Sequence, residues 1–185
     1  MTGTLAAGLV RLVEADAHEG PTWFADEGAL YVTTTRGAAG TSILSIALDG
    51  LLPVGLDAVT VLRADANHAH GMAADAAGRL IVCEQGTRTA PARISAVDRA
   101  TGAATTLVDS YRGRPLNSPH DVVVRHDGTI WFTDPAHGAA QGFRDAAELP
   151  ACVYRFDPRT GVLTVASTNL DHPPNLLFLR ATGRT

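Results

Sequence analysis

The sequence contains no lysine, because all 15 of its basic residues are arginine. This excludes a Schiff-base mechanism, a P-loop lysine and a kinase-type lysine together. The motifs Gly-x-Ser-x-Gly and Gly-x-Gly-x-x-Gly are also missing, so a serine-elbow hydrolase and a dinucleotide-binding fold have no local support. The two cysteines, Cys83 and Cys152, are far apart in the sequence, and we expect two buried reduced thiols rather than a zinc or redox site.

Excess positive charge and long apolar runs are lacking as well. The formal net charge is −4, whereas non-specific binding to nucleic acid or to an acidic membrane requires clustered basic charge. No stretch approaches the roughly 18 apolar residues of a membrane span. The N-terminal stretch has no basic leader and is interrupted by Arg11 and Glu14. We therefore expect no nucleic-acid partner, no membrane contact and a cytoplasmic location.

A repeated strand–turn–strand pattern is the strongest positive signal in the sequence. Its turn glycines are Gly28, Gly78 and Gly128, so both intervals are 50 residues. An apolar run precedes each glycine and a strand-like run follows it, as at 122–124 and 130–133. This pattern predicts one β-hairpin in each repeat.

A second hairpin signal is interleaved with the first. Alternating runs at 94–97 and 153–156 each end in an Asp-x-x-Thr-Gly turn, and further β-rich runs follow at 104–108 and 162–166. One repeat therefore holds four strands, which is typical of a β-propeller blade. Because the two tryptophans, Trp23 and Trp131, lie in these repeats, we expect both to pack between blades. We also predict an additional strand at 9–14.

The repeats start near residues 19, 70, 120 and 175, so the chain supplies about three and a half four-stranded blades. We predict an all-β fold, with residues 1–185 forming a single incomplete propeller domain. Propellers close with four to eight blades, and an open ring leaves unpaired strand edges. The expectation from this count is a C-terminally truncated propeller that can self-associate through its open edges.

Equivalent positions of successive blades converge on the central channel of a propeller. Eight residues before the turn glycines lie Gly20, His70 and His120, and Asn175 has the same place in the fourth repeat; Glu19 adjoins Gly20. Carboxylate, amide and imidazole groups that meet at a channel mouth predict a site for a divalent metal and a polar substrate. The alternative interpretations are a solvated loop carboxylate for Glu19 and hydrogen-bonded loop–strand junctions for the histidines.

Three motifs carry a resemblance to a known family. They are Glu-Gly-Pro-Thr-Trp at 19–23, Asn-Ser-Pro-x-Asp-Val at 117–122 and Thr-Asp-Pro at 133–135. Over residues 17 to 175 the chain resembles the family of gluconolactonases, senescence-marker protein and luciferin-regenerating enzyme. The resemblance implies a partial form of a six-bladed β-propeller with calcium, or a similar divalent metal, in its channel. It also implies hydrolysis of small-molecule sugar lactones.

The resemblance also implies roles for individual residues. Glu19 and Asn175 match metal ligands, although Leu176 replaces a glycine that follows the family's asparagine. The substrate-binding residues that we predict are His120, which stands where the family commonly has asparagine, together with Asn117, Asp121 and His70. Asp121 has the alternative role of binding backbone amides in its turn. The family's aspartate base belongs to a later blade, so we expect no catalytic residue in this chain.

The sequence thus predicts a gluconolactonase-like hydrolase that uses a divalent metal, most simply calcium, and is impaired by truncation. An alternative is a non-catalytic propeller fragment that binds a ligand or a protein through its channel face or open edge. A third is a metal-independent propeller resembling strictosidine synthase, which the pairing of Glu19 with Asn175 disfavours.

Overall fold

The computed structural model describes residues 11–37, 40–48, 50 and 52–168. Most of these residues form three four-stranded antiparallel sheets, each with its strands in chain order. Blade 1 contains β1 (Glu19–Phe24), β2 (Ala29–Thr33), β3 (Ile43–Ala47) and β4 (Val59–Arg63). Blade 2 contains β5 (Ala69–Ala74), β6 (Leu80–Glu84), β7 (Arg93–Val97) and β8 (Ala104–Val108).

Blade 3 follows a two-stranded ribbon of β9 (Ser110–Tyr111) and β10 (Arg114–Pro115). It contains β11 (Val122–Val124), β12 (Ile130–Asp134), β13 (Cys152–Asp157) and β14 (Val162–Ser167). A short helix, α1 (His137–Ala140), lies between β12 and β13, and a 3₁₀ turn (Leu56–Ala58) precedes β4. The predicted all-β fold with four strands in each repeat is confirmed, and the three sheets are blades of a partial β-propeller. The half blade predicted from Asn175 lies outside the described residues.

The predicted hairpin turns form at the expected glycines. Gly28, Gly78 and Gly128 have φ angles of 59°, 78° and 83°, a region that side chains other than glycine rarely adopt. The turn before β12 is closed further by Asp127, whose Oδ1 accepts the N–H of Thr129 at 3.0 Å. This local chemistry explains why the 50-residue spacing of the glycines predicts the strands correctly.

The hydrophobic core lies between the blades. Blades 1 and 2 enclose one cluster, to which blade 1 contributes Phe24, Tyr31 and Ile43 and blade 2 contributes Met72, Leu80 and Val82. Blades 2 and 3 enclose a second cluster, which includes Ile81, Ile94, Leu116, Ile130, Phe132 and Tyr154. A single antiparallel sheet buries its two faces only by stacking against neighbours, so the packing of the blades fixes the relative positions of their first strands.

The predicted strand at 9–14 is wrong for its described part, because residues 11–14 form no strand. Blade 1 already has four strands. This segment instead crosses the face of blade 1 that points away from blade 2, which we call its outer face. The carbonyl oxygen of Leu12 accepts the N–H of Val54 at 2.8 Å, and Val13 and Ala15 pack against the small cluster around Ile46. The N-terminal segment therefore covers blade 1 rather than extending it.

Trp23 does not pack between blades, which corrects the sequence-based expectation. Its neighbours in β1, Thr22 and Phe24, are both 7% exposed and turn towards blade 2, whereas Trp23 is 50% exposed. Alternation along a strand places Trp23 on the opposite face, which no blade among the described residues covers. Trp131 is partly buried, on the face of β12 opposite the buried Ile130.

Both cysteines are free and buried, as predicted, with Cys83 in β6 and Cys152 at the start of β13. Burial raises the pKa of each thiol above its ordinary value, so neither has the lowered pKa of a reactive cysteine. Within the described residues, no helix is long and apolar enough to cross a membrane.

Candidate active site

The first strands of the three blades, β1, β5 and β11, lie side by side. A polar cleft of about 220 Å³ opens beside their N-terminal ends. Depressions of 320 Å³ and 240 Å³ elsewhere are lined largely by the surface loop around Thr87 and Pro91. The cleft at the converging strands is distinguished by its four lining histidines, His18, His68, His70 and His120.

Three of these histidines and His137, which does not line the cleft, form a row of four imidazoles in the order His18, His70, His120, His137. The ring centroids of His70 and His120 are 3.9 Å apart, His18 lies 5.4 Å from His70, and His137 lies 4.8 Å from His120. The Nδ1 of His70 is 3.2 Å from the carbonyl oxygen of His120. Because a carbonyl only accepts, Nδ1 carries the proton in this bond, and Nε2 of a neutral His70 is left as an acceptor.

His70 is held in its neutral form. Burial, and after it the neighbouring imidazoles of His120 and His18, together lower its pKa to about 3. A protonated imidazole here would lose hydration and face other rings that can also carry positive charge. His70 therefore acts as a neutral hydrogen-bonding group at ordinary pH.

Glycines allow the blades to approach closely enough to bring these rings together. The N–H of Gly71 donates to the carbonyl of His120 at 2.9 Å. A Cβ atom at Gly71 would lie 2.7 Å from that carbonyl oxygen and 2.7 Å from Oδ1 of Asp121. At Gly20, a Cβ atom would lie 2.7 Å from the carbonyl oxygen of His70. The repeat-equivalent positions thus converge because the backbones touch where a side chain would not fit.

Glu19, the predicted metal ligand, is the first residue of β1 and pairs in register with Thr33. Glu19 is partly buried and does not itself line the cleft, although the preceding residue, His18, does. Its carboxylate has no hydrogen-bond or ion-pair partner among the described residues. Its predicted partner Asn175 lies outside them. The described residues contain no group of three or more His, Cys, Asp or Glu placed to hold a metal ion. Glu19 alone therefore represents the predicted metal site here, and its role stays a prediction.

Asn117 does not line the cleft; it lines a separate small pocket beside Arg144 and Glu148. Its side chain is 5% exposed; Nδ2 donates to the carbonyl of Leu149 at 3.0 Å and to that of Asp134 at 3.3 Å. Its Oδ1 accepts the N–H of Leu149 at 3.4 Å. The predicted contact between Asn117 and substrate stays a prediction, and these bonds give the amide a structural role.

Asp134 is a buried polar residue that sequence reasoning did not single out, although it belongs to the Thr-Asp-Pro motif. Its two carboxylate oxygens accept the backbone N–H groups of Asn117 at 2.9 Å and Ser118 at 2.8 Å. Burial raises the pKa of Asp134 to about 7, while these two bonds act in the opposite direction. Asp134 therefore fixes the segment that leads into His120.

The carboxylate of Asp121 accepts one backbone amide, as the alternative interpretation of this residue describes. Its Oδ1 accepts the N–H of Val122 at 2.9 Å, and its own N–H donates to Oγ1 of Thr133 at 3.1 Å. Asp121 also lies against Gly71, at the contact between blades 2 and 3. Its predicted contact with substrate stays a prediction.

Several residues of the cleft have no counterpart among the repeated positions, and sequence reasoning missed them. They lie outside the strands or on a strand flank: Thr34, Arg36, Thr41, Gln85 and Gln141. The repeats could not indicate these positions, because loops differ from blade to blade. The polar loop after β12, which contains Gln141, was the one available signal.

Comparison with known proteins adds the family. Residues 17–184 match the model of the SMP-30/Gluconolactonase/LRE-like region. The chain is 36% identical over 83 residues to a lactonohydrolase of Aspergillus oryzae, a match that covers 44% of this chain and 19% of that protein. It is 31% identical over 111 residues to a gluconolactonase of Zymomonas mobilis, covering 58% of this chain and 29% of that protein.

Solved structures show the same architecture. A gluconolactonase from Xanthomonas campestris superposes with a TM-score of 0.70 at 36% identity, over 86% of this chain and 50% of its own length. TolB from Acinetobacter baumannii shares the fold alone, with a TM-score of 0.58 at 14% identity over 83% of this chain and 33% of TolB. The chain thus spans half the length of the Xanthomonas protein and less than a third of the length of the two curated relatives.

Proposed function

Because the chain belongs to the SMP-30/gluconolactonase/LRE-like family, we propose that it forms the substrate cleft of a metal-dependent sugar-lactone hydrolase. The observation that carries this proposal is the polar cleft in which His70 and His120 meet from equivalent positions of blades 2 and 3. The lactonohydrolase and gluconolactonase relatives support a lactone as the substrate. A sugar lactone carries several hydroxyl groups, which can form hydrogen bonds with the imidazole, amide and hydroxyl groups that line the cleft.

Calcium is the ion that we propose, with Glu19 and Asn175 among its ligands. The partly buried carboxylate of Glu19, without a partner among the described residues, fits a hard cation that prefers oxygen ligands. A divalent cation bound there would polarise the lactone carbonyl and lower the pKa of the attacking water.

The imidazoles supply hydrogen bonds to the substrate in this proposal. With Nδ1 of His70 donating to the carbonyl of His120, Nε2 can accept a hydrogen bond from a sugar hydroxyl. His120 takes the position of the family's asparagine, and Asp121 holds the backbone that follows it. Asn117 contributes by fixing residues 116–118 through its bonds to Asp134 and Leu149. General-base catalysis is assigned to none of these residues.

Lactone hydrolysis by the purified chain tests the proposal. We expect turnover of D-glucono-1,5-lactone above the spontaneous rate, its loss on treatment with a chelator, and its recovery with calcium. Glu19→Gln should reduce metal affinity and turnover by about tenfold or more, because it removes a charged ligand. The matched control is Glu148→Gln, which neutralises an exposed carboxylate away from the cleft.

A non-catalytic ligand-binding propeller is the second candidate. It is favoured by the absence, within the described residues, of a group of three side chains placed to hold a metal. A chain that binds sugar acids in the cleft but shows no turnover with any divalent metal would support this candidate and contradict the hydrolase.

A further inference from the structure

Arg36 gives the cleft a positive charge that the described residues do not neutralise. It is exposed, lies between β2 and β3 and lines the cleft, and neither Asp nor Glu occurs among the described residues of the lining. Of the described arginines, Arg36 and Arg112 alone have neither a hydrogen bond nor an ion pair with another described residue. Since the chain carries a net charge of −4, attraction of an anion must come from a local arrangement of this kind.

The guanidinium of Arg36 is held in place by an aromatic ring. Its central carbon lies 4.4 Å from the centroid of Phe143, a cation–π distance. Arg144, the residue after Phe143, fixes the segment that carries Phe143. It donates hydrogen bonds to the carbonyl oxygens of Thr87, Ala90 and Leu116 at 3.2 to 3.4 Å. Arg36 is thereby positioned over the cleft with its N–H donors available to a ligand.

Two buried polar atoms in the same cleft have no hydrogen-bond partner among the described residues. They are Oγ1 of Thr41, a residue that is 5% exposed, and Nδ1 of His68. Buried polar groups are usually satisfied by protein or water, so these two atoms are available to water or to a polar ligand in the cleft. The His68 ring lies 4.8 Å from Phe143 on an edge-to-face contact, which places it next to the support of Arg36. Burial and then the charge of Arg36 lower the pKa of His68, so His68 is a neutral partner.

We propose that Arg36 determines substrate class by binding an anionic group, a carboxylate or a phosphate, on the lactone that occupies this cleft. This inference rests on the proposed lactone hydrolysis for the identity of the ligand. Thr41 and His68 form hydrogen bonds with the hydroxyl groups of the lactone that lie beside its anionic group. A neutral lactone lacks the charge-assisted bond and binds more weakly.

Kinetics with three lactones test the inference and distinguish binding of a carboxylate from binding of a phosphate. D-Glucono-1,5-lactone is neutral, D-glucaro-1,4-lactone carries a carboxylate, and 6-phospho-D-glucono-1,5-lactone carries a phosphate. Arg36→Gln should raise KM for at least one anionic lactone by about tenfold or more, the scale of a lost bond to a charged group. It should leave KM for the neutral lactone within about twofold.

Arg112→Gln is the matched control. Arg112 is likewise exposed and stacks on an aromatic ring, with its central carbon 5.2 Å from the centroid of Tyr111, but it does not line the cleft. Its loss changes the net charge equally and should leave every KM within about twofold. The inference is overturned if Arg36→Gln changes KM for the neutral and the anionic lactones by the same factor, or changes KM for none of them.

A binding measurement distinguishes failure of this inference from failure of the proposed reaction. If no lactone is turned over, calorimetry with D-glucarate and D-glucitol compares an anionic with a neutral ligand of the same carbon chain. Preference for D-glucarate that disappears in Arg36→Gln supports anion recognition although the hydrolase proposal has failed. Absence of a preference in the unsubstituted chain overturns the inference.

Discussion

The imidazole rings of His70 and His120, which are 50 residues apart in the sequence, lie 3.9 Å from each other between centroids. The contact depends on the approach of β5 to β11, where the N–H of Gly71 bonds to the carbonyl of His120. The pair is therefore a property of how blades 2 and 3 pack. Any change that separates the two strands also separates the two rings.

Gly71→Ala should destabilise the protein and disturb this pair. The new methyl group would lie 2.7 Å from the carbonyl oxygen of His120 and 2.8 Å from the Cα of Asp121. These backbone atoms lead into β11 and cannot move aside without moving the blade. We expect a loss of about 1–3 kcal/mol in the free energy of unfolding, as for other overpacked sites. Chemical denaturation measures it, and NMR of the imidazole nitrogens reports on the pair.

Gly50→Ala is the control for the loss of a glycine. A Cβ atom at Gly50 would meet no other atom within 4 Å, so its effect on stability should stay within about 0.5 kcal/mol. Equal stability of the two variants, with unchanged imidazole signals, would show that the contact between the blades is looser than the structure indicates.

The positions of His70 and His120 show how much of the site could be predicted from the sequence. The first hairpin of each repeat and the convergence of the two histidines follow from a 50-residue spacing, and the second hairpin follows from the Asp-x-x-Thr-Gly turns, because turn residues and alternating strands are local signals. Arg36 and Thr41 could not be predicted in this way, since they lie on a loop that the other repeats do not share. The exposure of Trp23 was missed because local alternation does not say which face has a neighbouring blade.

Asp134→Asn should change the pH dependence of stability between about pH 4 and pH 7. The folded-state pKa of Asp134 is raised to about 7 from an ordinary value of 3.8. The contribution of this carboxyl to stability is therefore full below pH 3.8 and declines as the pH rises through 7. The slope is on the order of 1 kcal/mol per pH unit for a single group.

Asparagine does not titrate, so the stability of Asp134→Asn relative to the unsubstituted protein should improve over this range. Its amide N–H₂ also replaces one acceptor facing the N–H groups of Asn117 and Ser118, so it should be the less stable protein at pH 4. His70, whose lowered pKa of about 3 destabilises the fold as pH falls below about 6.5, is present in both proteins and cancels in the difference. Denaturation across this range measures the slope.

Asp127→Asn provides the comparison for this experiment. Hydrogen bonding to Thr129 lowers the pKa of Asp127, so its contribution changes below pH 4 and the variant should show no relative slope between pH 4 and pH 7. A constant difference for Asp134→Asn as well would mean that the buried carboxylate is ionised throughout, stabilised by its two backbone donors.

Trp23 allows self-association to be measured directly. Half of its surface is exposed on the outer face of blade 1, whereas Trp131 is partly buried, so acrylamide should quench Trp23 in a Trp131→Phe variant more strongly than Trp131 in a Trp23→Phe variant.

We expect the chain to associate through this face, because an exposed aromatic side chain on a sheet face that no described blade covers favours burial against a second surface. Mass action then predicts weaker quenching of Trp23 as the protein concentration rises from about 1 to about 100 µM, with a parallel increase in mass by light scattering. A mass that stays monomeric while quenching stays constant would contradict association. An increase in mass without protection of Trp23 would place the interface on another face, such as that of β14, where Val162 is also 50% exposed.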